Sequence, residues 1–186
     1  VDGRKAKSIV ADYGTDISMF KSKDESLIVE DGVMVGANFD VRVGDTYLVK
    51  SNKYFDFSVI GRRINPADYL LTIDSGWTWI GYIPSFNSPL LEAFVDLVPH
   101  TGDIIKSQTH FAIYDGYEWI GTLQVMESGR GYKYKSLAGR RTFSYPSVVV
   151  NGFNSQRVSS VSAESYFKPI DASHYPSNMT ILAKVY

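Results

Sequence analysis

Apolar and polar residues alternate in short runs along most of this chain, the period of a strand with one buried face. Leu27-Ile28-Val29 and Val33-Met34-Val35 flank Glu30-Asp31-Gly32 and predict a hairpin turning on Asp-Gly. Phe111–Tyr114, Asp115-Gly116 and Tyr117–Ile120 predict a second. Glycine suits such turns because it takes positive φ without steric cost. Thr46–Ser51 and Arg130–Ser136 read as further strands; in the latter Tyr132 and Tyr134 share one face, Lys133 and Lys135 the other. Such a sheet is buried on one side only. Aromatic strands are predicted at Tyr54–Ile60 and Thr142–Tyr145. A strand from Trp77 to Tyr82 sets Trp77 and Trp79 against Thr78 and Ile80, and same-face aromatics of this kind are expected to fill a core.

One helix is predicted near residues 88–98. Ser88 is a suitable N-cap, Pro89 fits the first helical position, and Glu92 suits the N-terminal turn. Leu90, Leu91, Phe94, Val95, Leu97 and Val98 supply the apolar side, and Pro99 stops the helix. Ile9–Tyr13 reads as the end of an equivalent helix earlier in the chain.

The chain repeats itself at one constant offset. That offset relates Lys21-Ser22 to Lys106-Ser107, Gly36 to Gly121, Gly44 to Gly129, Tyr47 to Tyr132, and Lys50-Ser51 to Lys135-Ser136. The expected fold is therefore mainly β, with two related units from an ~85-residue duplication. Residues 1–64 form a first unit that lacks its opening third, and residues 65–150 a complete second. Residues 151–186 read as a Ser-, Asn- and Gly-rich linker, the motif around Asp171–Thr180, and an apolar terminal strand, Ile181–Tyr186. That tail is expected to begin a following domain, and the shortened first unit to be completed either by strands of the second unit or by the tail.

Composition narrows the function. With 186 residues the chain is long enough for a substantial core. Tyr, Phe and Trp make up 14%, which favours strands and binding surfaces. A formal net charge of −1 supplies no field for nucleic acid or an anionic membrane, and no apolar run approaches the ~20 residues of a membrane span. The absence of cysteine excludes disulfides, thiolate nucleophiles and Cys-based metal sites.

The order of short motifs resembles a known module. Gly76-Trp77-Thr78-Trp79-Ile80-Gly81-Tyr82 precedes a helix, then Gly102-Asp103-Ile104-Ile105-Lys106-Ser107-Gln108, Phe111-Ala112-Ile113-Tyr114, Trp119-Ile120-Gly121, Gly129-Arg130-Gly131-Tyr132 and Phe143-Ser144-Tyr145-Pro146. This resembles a tandem module of large secreted or cell-surface proteins of Bacteroidetes and similar bacteria, with the pattern GWNWIGY, GDxIKSQxxFAxY, WxGSL, PGxGYxYKS, FxYP. Asp171–Val185 is similar to the start of the Ig-like or fibronectin-like domain that often follows it. Glu127-Ser128-Gly129 replaces the Pro-Gly turn, and the first copy has Val35 and Lys23 where the pattern carries Trp and Gln. The resemblance implies an extracellular, modular, non-catalytic element; the expected partners are other domains of the parent protein, with a glycan or a surface protein as further candidates.

Candidate chemistry is sparse. Trp119, Tyr117, Trp77, Trp79 and Tyr82 are the candidates for stacking on sugar rings, with Trp119 expected to be exposed because it lies beside a turn. Arg130, Lys133, Lys135, Arg140 and Arg141 cluster around two tyrosines and read as a solvated strand face rather than a nucleic-acid site. Four Lys-Ser dipeptides would suit Ser-Lys catalysis, but their repetition points to scaffold chemistry. His100, His110 and His174 are scattered, and no metal, cofactor or catalytic residue is assigned. The expectation is a structural or adhesin-like surface module, the alternative a glycan-binding accessory module using exposed aromatics.

Overall fold

The computed structural model describes residues 4–54, 64–148 and 179–180. It is mainly β. In the first unit, helix α1 (Ala6–Tyr13) leads into strands β1 (Ile17–Lys21), β2 (Ser26–Glu30), β3 (Val33–Gly36) and β4 (Leu48–Ser51). In the second, β5 (Gly76–Gly81) and helix α2 (Leu90–Ala93) precede β6 (Ile104–Lys106), β7 (Phe111–Tyr114), β8 (Trp119–Gly121) and β9 (Gly131–Ser136). A short strand β10 (Met179–Thr180) lies in the tail. The two antiparallel sheets have the orders β10-β4-β1-β2-β3 and β5-β9-β6-β7-β8. Read in that direction, the two orders correspond strand for strand.

Each unit has its own core. Phe20, Leu27, Val41 and Val49 are buried in the first, and their counterparts at the repeat offset, Ile105, Ala112, Met126 and Tyr134, are buried in the second. The helices correspond at an offset one shorter: Ala6, Ile9 and Val10 against Leu90, Ala93 and Phe94. The spacing i, i+3, i+4 puts all three on one helical face. Short ladders flank each helix, Arg4–Lys5 with Asp40–Val41 and Ser88–Pro89 with Val125–Met126. A third ladder, Leu71–Ile73 with Arg141–Phe143, belongs to the second unit.

The structure corrects several expectations. Ser88 does not cap a helix; it is paired with Met126, and the Leu90 amide donates to the Gln124 carbonyl. The α-helix is thus confined to Leu90–Ala93, and tight turns carry the chain on to Leu97. The first hairpin turns on Asp31 and Gly32, both at positive φ, as expected of a two-residue loop. The second has a longer loop. Asp115 Oδ1 accepts from the amides of Tyr117 and Glu118, each at 2.8 Å, so that Tyr114 pairs with Trp119 and Tyr117 leaves the strand. Gly36 and Gly121 occupy equivalent sites, so the counterpart of Trp119 is Met34, not Val35. The predicted strands Tyr54–Ile60 and Ile181–Tyr186 and the 151–165 linker lie outside the described residues, Tyr54 apart, which is not in a strand.

The repeated Lys-Ser dipeptides end strands. Ser22 Oγ accepts from the Glu25 amide and Ser107 Oγ from the His110 amide, both at 3.0 Å. Ser51 Oγ accepts from the Lys53 amide and Ser136 Oγ from the Ala138 amide, at 3.1 and 3.2 Å. A serine that bonds an amide two or three residues on stabilises the turn it begins.

Candidate functional site

The two units meet along an edge of the second sheet. Gly81 and Gly131 pair across β5 and β9, and the first unit's loop at Gly44–Thr46 lies on them. The Gly81 amide donates to the Gly44 carbonyl at 2.7 Å, and the Tyr69 hydroxyl donates to the Val43 carbonyl at 2.7 Å. A Cβ on Gly131 would sit 1.5 Å from Thr46 Oγ1, so a side chain there would push the units apart.

Beside this junction lies a cleft of about 620 Å³, within the ~300–1,000 Å³ range of small-molecule sites. The first unit contributes Lys23, Asp40, Asp45 and Tyr47, and the second Asp74, Thr78 and Trp79. Lys5 lies 2.6 Å from Asp40, and its hydrogen bond holds that carboxyl below the usual range. Arg140 lies 2.6 Å from Asp74. Burial pushes Asp45 up, opposed by a 3.3 Å hydrogen bond from the Tyr47 hydroxyl. The cleft therefore combines an aromatic wall, hydroxyls and carboxylates that already hold partners.

Trp79 belongs to a second feature. Core packing was expected for Trp77 and Trp79, but the core side of β5 is Ile80, and both indoles lie half-buried on the opposite face. Lys106 Nζ stands 4.5 Å from the Trp77 ring centre and Lys133 Nζ 4.2 Å from that of Trp79, both cation–π distances. Burial, then repulsion from Lys106 and Lys21, lowers the Lys133 pKa. Cross-strand pairing extends this face as a row, Trp77–Lys135–Ile104–Ile113–Ile120. The first unit repeats it as Lys50–Met19–Ile28–Val35. Both rows thus end in exposed aliphatic side chains at the free edge of their sheets.

The remaining candidates are elsewhere. Trp119 is only 8% exposed: Tyr114, its cross-strand partner, packs on the core, and residues opposed in a ladder share a face. Tyr82 is buried at 3% against Tyr145, ring centres 5.0 Å apart. Tyr117 is 88% exposed at its hairpin tip and does not line the cleft. Of the five candidates, only Trp79 reaches the cleft and only Trp77 shares its face. Arg130, Arg140 and Arg141 pair with Glu127, Asp74 and Asp103. Among the described residues no three His, Asp or Glu side chains gather as a metal site, and no helix is long and apolar enough to cross a membrane.

Asp40, Asp45, Tyr47 and Asp74 escaped the sequence reading because the cleft is assembled from two copies. Asp40, Asp45 and Tyr47 lie close together in the first copy, but no spacing within it points to Asp74 in the second.

No family model matches this chain, and no curated protein or solved structure matches it. What the fold defines is a class of architecture: a duplicated, mainly β module with a polar cleft between its halves.

Proposed function

We propose that this chain is a non-catalytic, extracellular module of a larger bacterial surface or secreted protein, with a structural or adhesive role. One observation carries this reading: the residues repeated between the copies are engaged in scaffold contacts. The paired serines close turns, and Tyr47 and Tyr132 bind backbone amides. The resemblance to the Bacteroidetes module supports an extracellular setting, with other domains of the parent protein as partners.

A second reading, glycan binding, is favoured by Trp79 on the cleft wall beside Asp45 and Tyr47. Lysines stand over both indoles, so a sugar stacking there meets an ammonium first. An anionic glycan suits that surface better than a neutral one.

A glycan array with neutral, sialylated and sulfated members separates the readings. Binding by the wild type that is lost in Trp79→Ala and Lys133→Met, with the fold intact by circular dichroism, favours the glycan module. An array without binding favours the structural role. Turnover of any arrayed glycan, read by mass spectrometry, overturns the non-catalytic reading.

A further inference from the structure

The outer slot of the first sheet is filled from the tail. In the second unit, β5 pairs antiparallel with β9, with Thr78 opposite Tyr134 and Trp79 opposite Lys133. In the first unit, β10 pairs antiparallel with β4, with Met179 opposite Val49 and Thr180 opposite Leu48. Val49 and Leu48 are the counterparts of Tyr134 and Lys133 at the repeat offset. Met179 and Thr180 therefore stand in the places of Thr78 and Trp79, in the same direction and the same register. No strand from residues 4–54 takes that place.

We propose that the Leu48–Ser51 edge is a strand-acceptor site, and that the C-terminal segment of this same chain is its donor. The first unit is completed by a strand distant in sequence, as the second is completed by β5. Three physical facts favour this occupant. An edge strand left bare presents a row of unpaired amides and carbonyls that recruits another strand. The register places both tail residues opposite defined partners rather than in a sliding contact. The donor sequence continues Ile181-Leu182-Ala183-Lys184-Val185-Tyr186, whose branched and aromatic residues favour a pleated, half-buried surface.

The chain has no cysteine, so an engineered pair reports on this contact alone. Directly opposed antiparallel residues have Cα atoms ~4.5–5.5 Å apart, within the span a disulfide bridges. The full-length Leu48→Cys/Thr180→Cys variant, oxidised at micromolar concentration, is expected to give a monomeric disulfide by intact mass and non-reducing electrophoresis. Lys50→Cys/Thr180→Cys, two residues out of register, is expected to remain largely reduced. Persistent free thiols in the first variant overturn the proposal. So do disulfide-linked dimers, which assign the donor to a second copy, and equal cross-linking of both variants, which denies the register. Met179→Pro supplies a cysteine-free check, since Met179 stands opposite Val49, whose backbone faces the tail, and proline there removes a ladder amide. Amide exchange over Leu48–Ser51 is expected to accelerate about tenfold or more while β9 is unchanged; unchanged exchange on β4 overturns the proposal.

Discussion

The Tyr132 hydroxyl accepts a hydrogen bond from the Glu127 amide at 2.7 Å, and its counterpart in the first unit, the Tyr47 hydroxyl, accepts one from the Arg42 amide at 2.9 Å. Each tyrosine stands at or next to the start of a strand, β9 or β4, and pins the loop that leads into it. Burial pushes both phenols up to about 12. They are therefore protonated across the physiological range, and the loop contact does not titrate there. Tyr132→Phe is expected to lose about 1 kcal/mol in urea unfolding, because the Glu127 amide loses its acceptor. Tyr47→Phe is expected to cost less, since that ring is more exposed.

The repeated glycines Gly36 and Gly121 make the sharpest prediction. A Cβ at Gly36 would lie 2.3 Å from the Ser26 carbonyl oxygen, and at Gly121 2.2 Å from that of Phe111, the counterpart of Ser26. Both glycines also have positive φ. Gly36→Ala and Gly121→Ala are each expected to destabilise by roughly 2 kcal/mol or more. Gly139→Ala, with nothing near its Cβ and no positive φ, is expected to shift stability by about 0.5 kcal/mol at most. Equal thermal midpoints for Gly121→Ala and Gly139→Ala would sink this account.

Asp103 holds together the end of the second sheet. Fully buried, it accepts from the Tyr134 hydroxyl at 2.8 Å, the Leu137 amide at 2.8 Å, the His100 amide at 2.9 Å and Arg141 at 2.7 Å. Burial works to raise its pKa, but hydrogen bonds from Arg141 and the other donors outweigh it, and the value falls below the ordinary 3.8. A lowered folded-state pKa means the unfolded chain binds the proton first. The carboxylate thus contributes stability above about pH 4 that disappears as pH falls through the lowered folded value. Asp103→Asn is expected to cost on the order of 3 kcal/mol at pH 7, because it removes the buried negative charge that faces Arg141. It is also expected to flatten the acid limb of the stability curve, read by denaturant titration from pH 7 to pH 2.

Tyr145 predicts the opposite sign. Its hydroxyl is buried without a hydrogen-bond partner among the described residues, while its ring packs edge-on against Phe143 and Tyr82, both at 5.0 Å. Tyr145→Phe keeps the ring and removes the stranded hydroxyl. It is expected to raise stability by about 1 kcal/mol, measured as a higher urea midpoint at unchanged slope.

How far the chain could be read from its residues depends on the range of the interaction. Alternation placed Tyr132 and Tyr134 inward and Lys133 and Lys135 outward, and the structure agrees, because strand parity is a local property. Parity also separated Trp77 and Trp79 from Ile80 correctly, but which face met the core was decided by packing against distant aromatics, and the tryptophans lie outside. Trp119 went the other way. Proximity to a turn said exposed, while pairing with Tyr114 turned it inward.

The sequence by itself determined the duplication, the β-rich class and the turn chemistry of its serines and glycines, since each rests on contacts within a few residues or on identity at a fixed spacing. Tertiary structure alone decided which distant segments meet. The cleft at Trp79, Asp45 and Tyr47, and the seating of Met179–Thr180 beside Leu48–Ser51, join segments that are far apart along the chain. Such contacts are selected by the fit of two folded surfaces, and no short-range pattern in the chain records that fit.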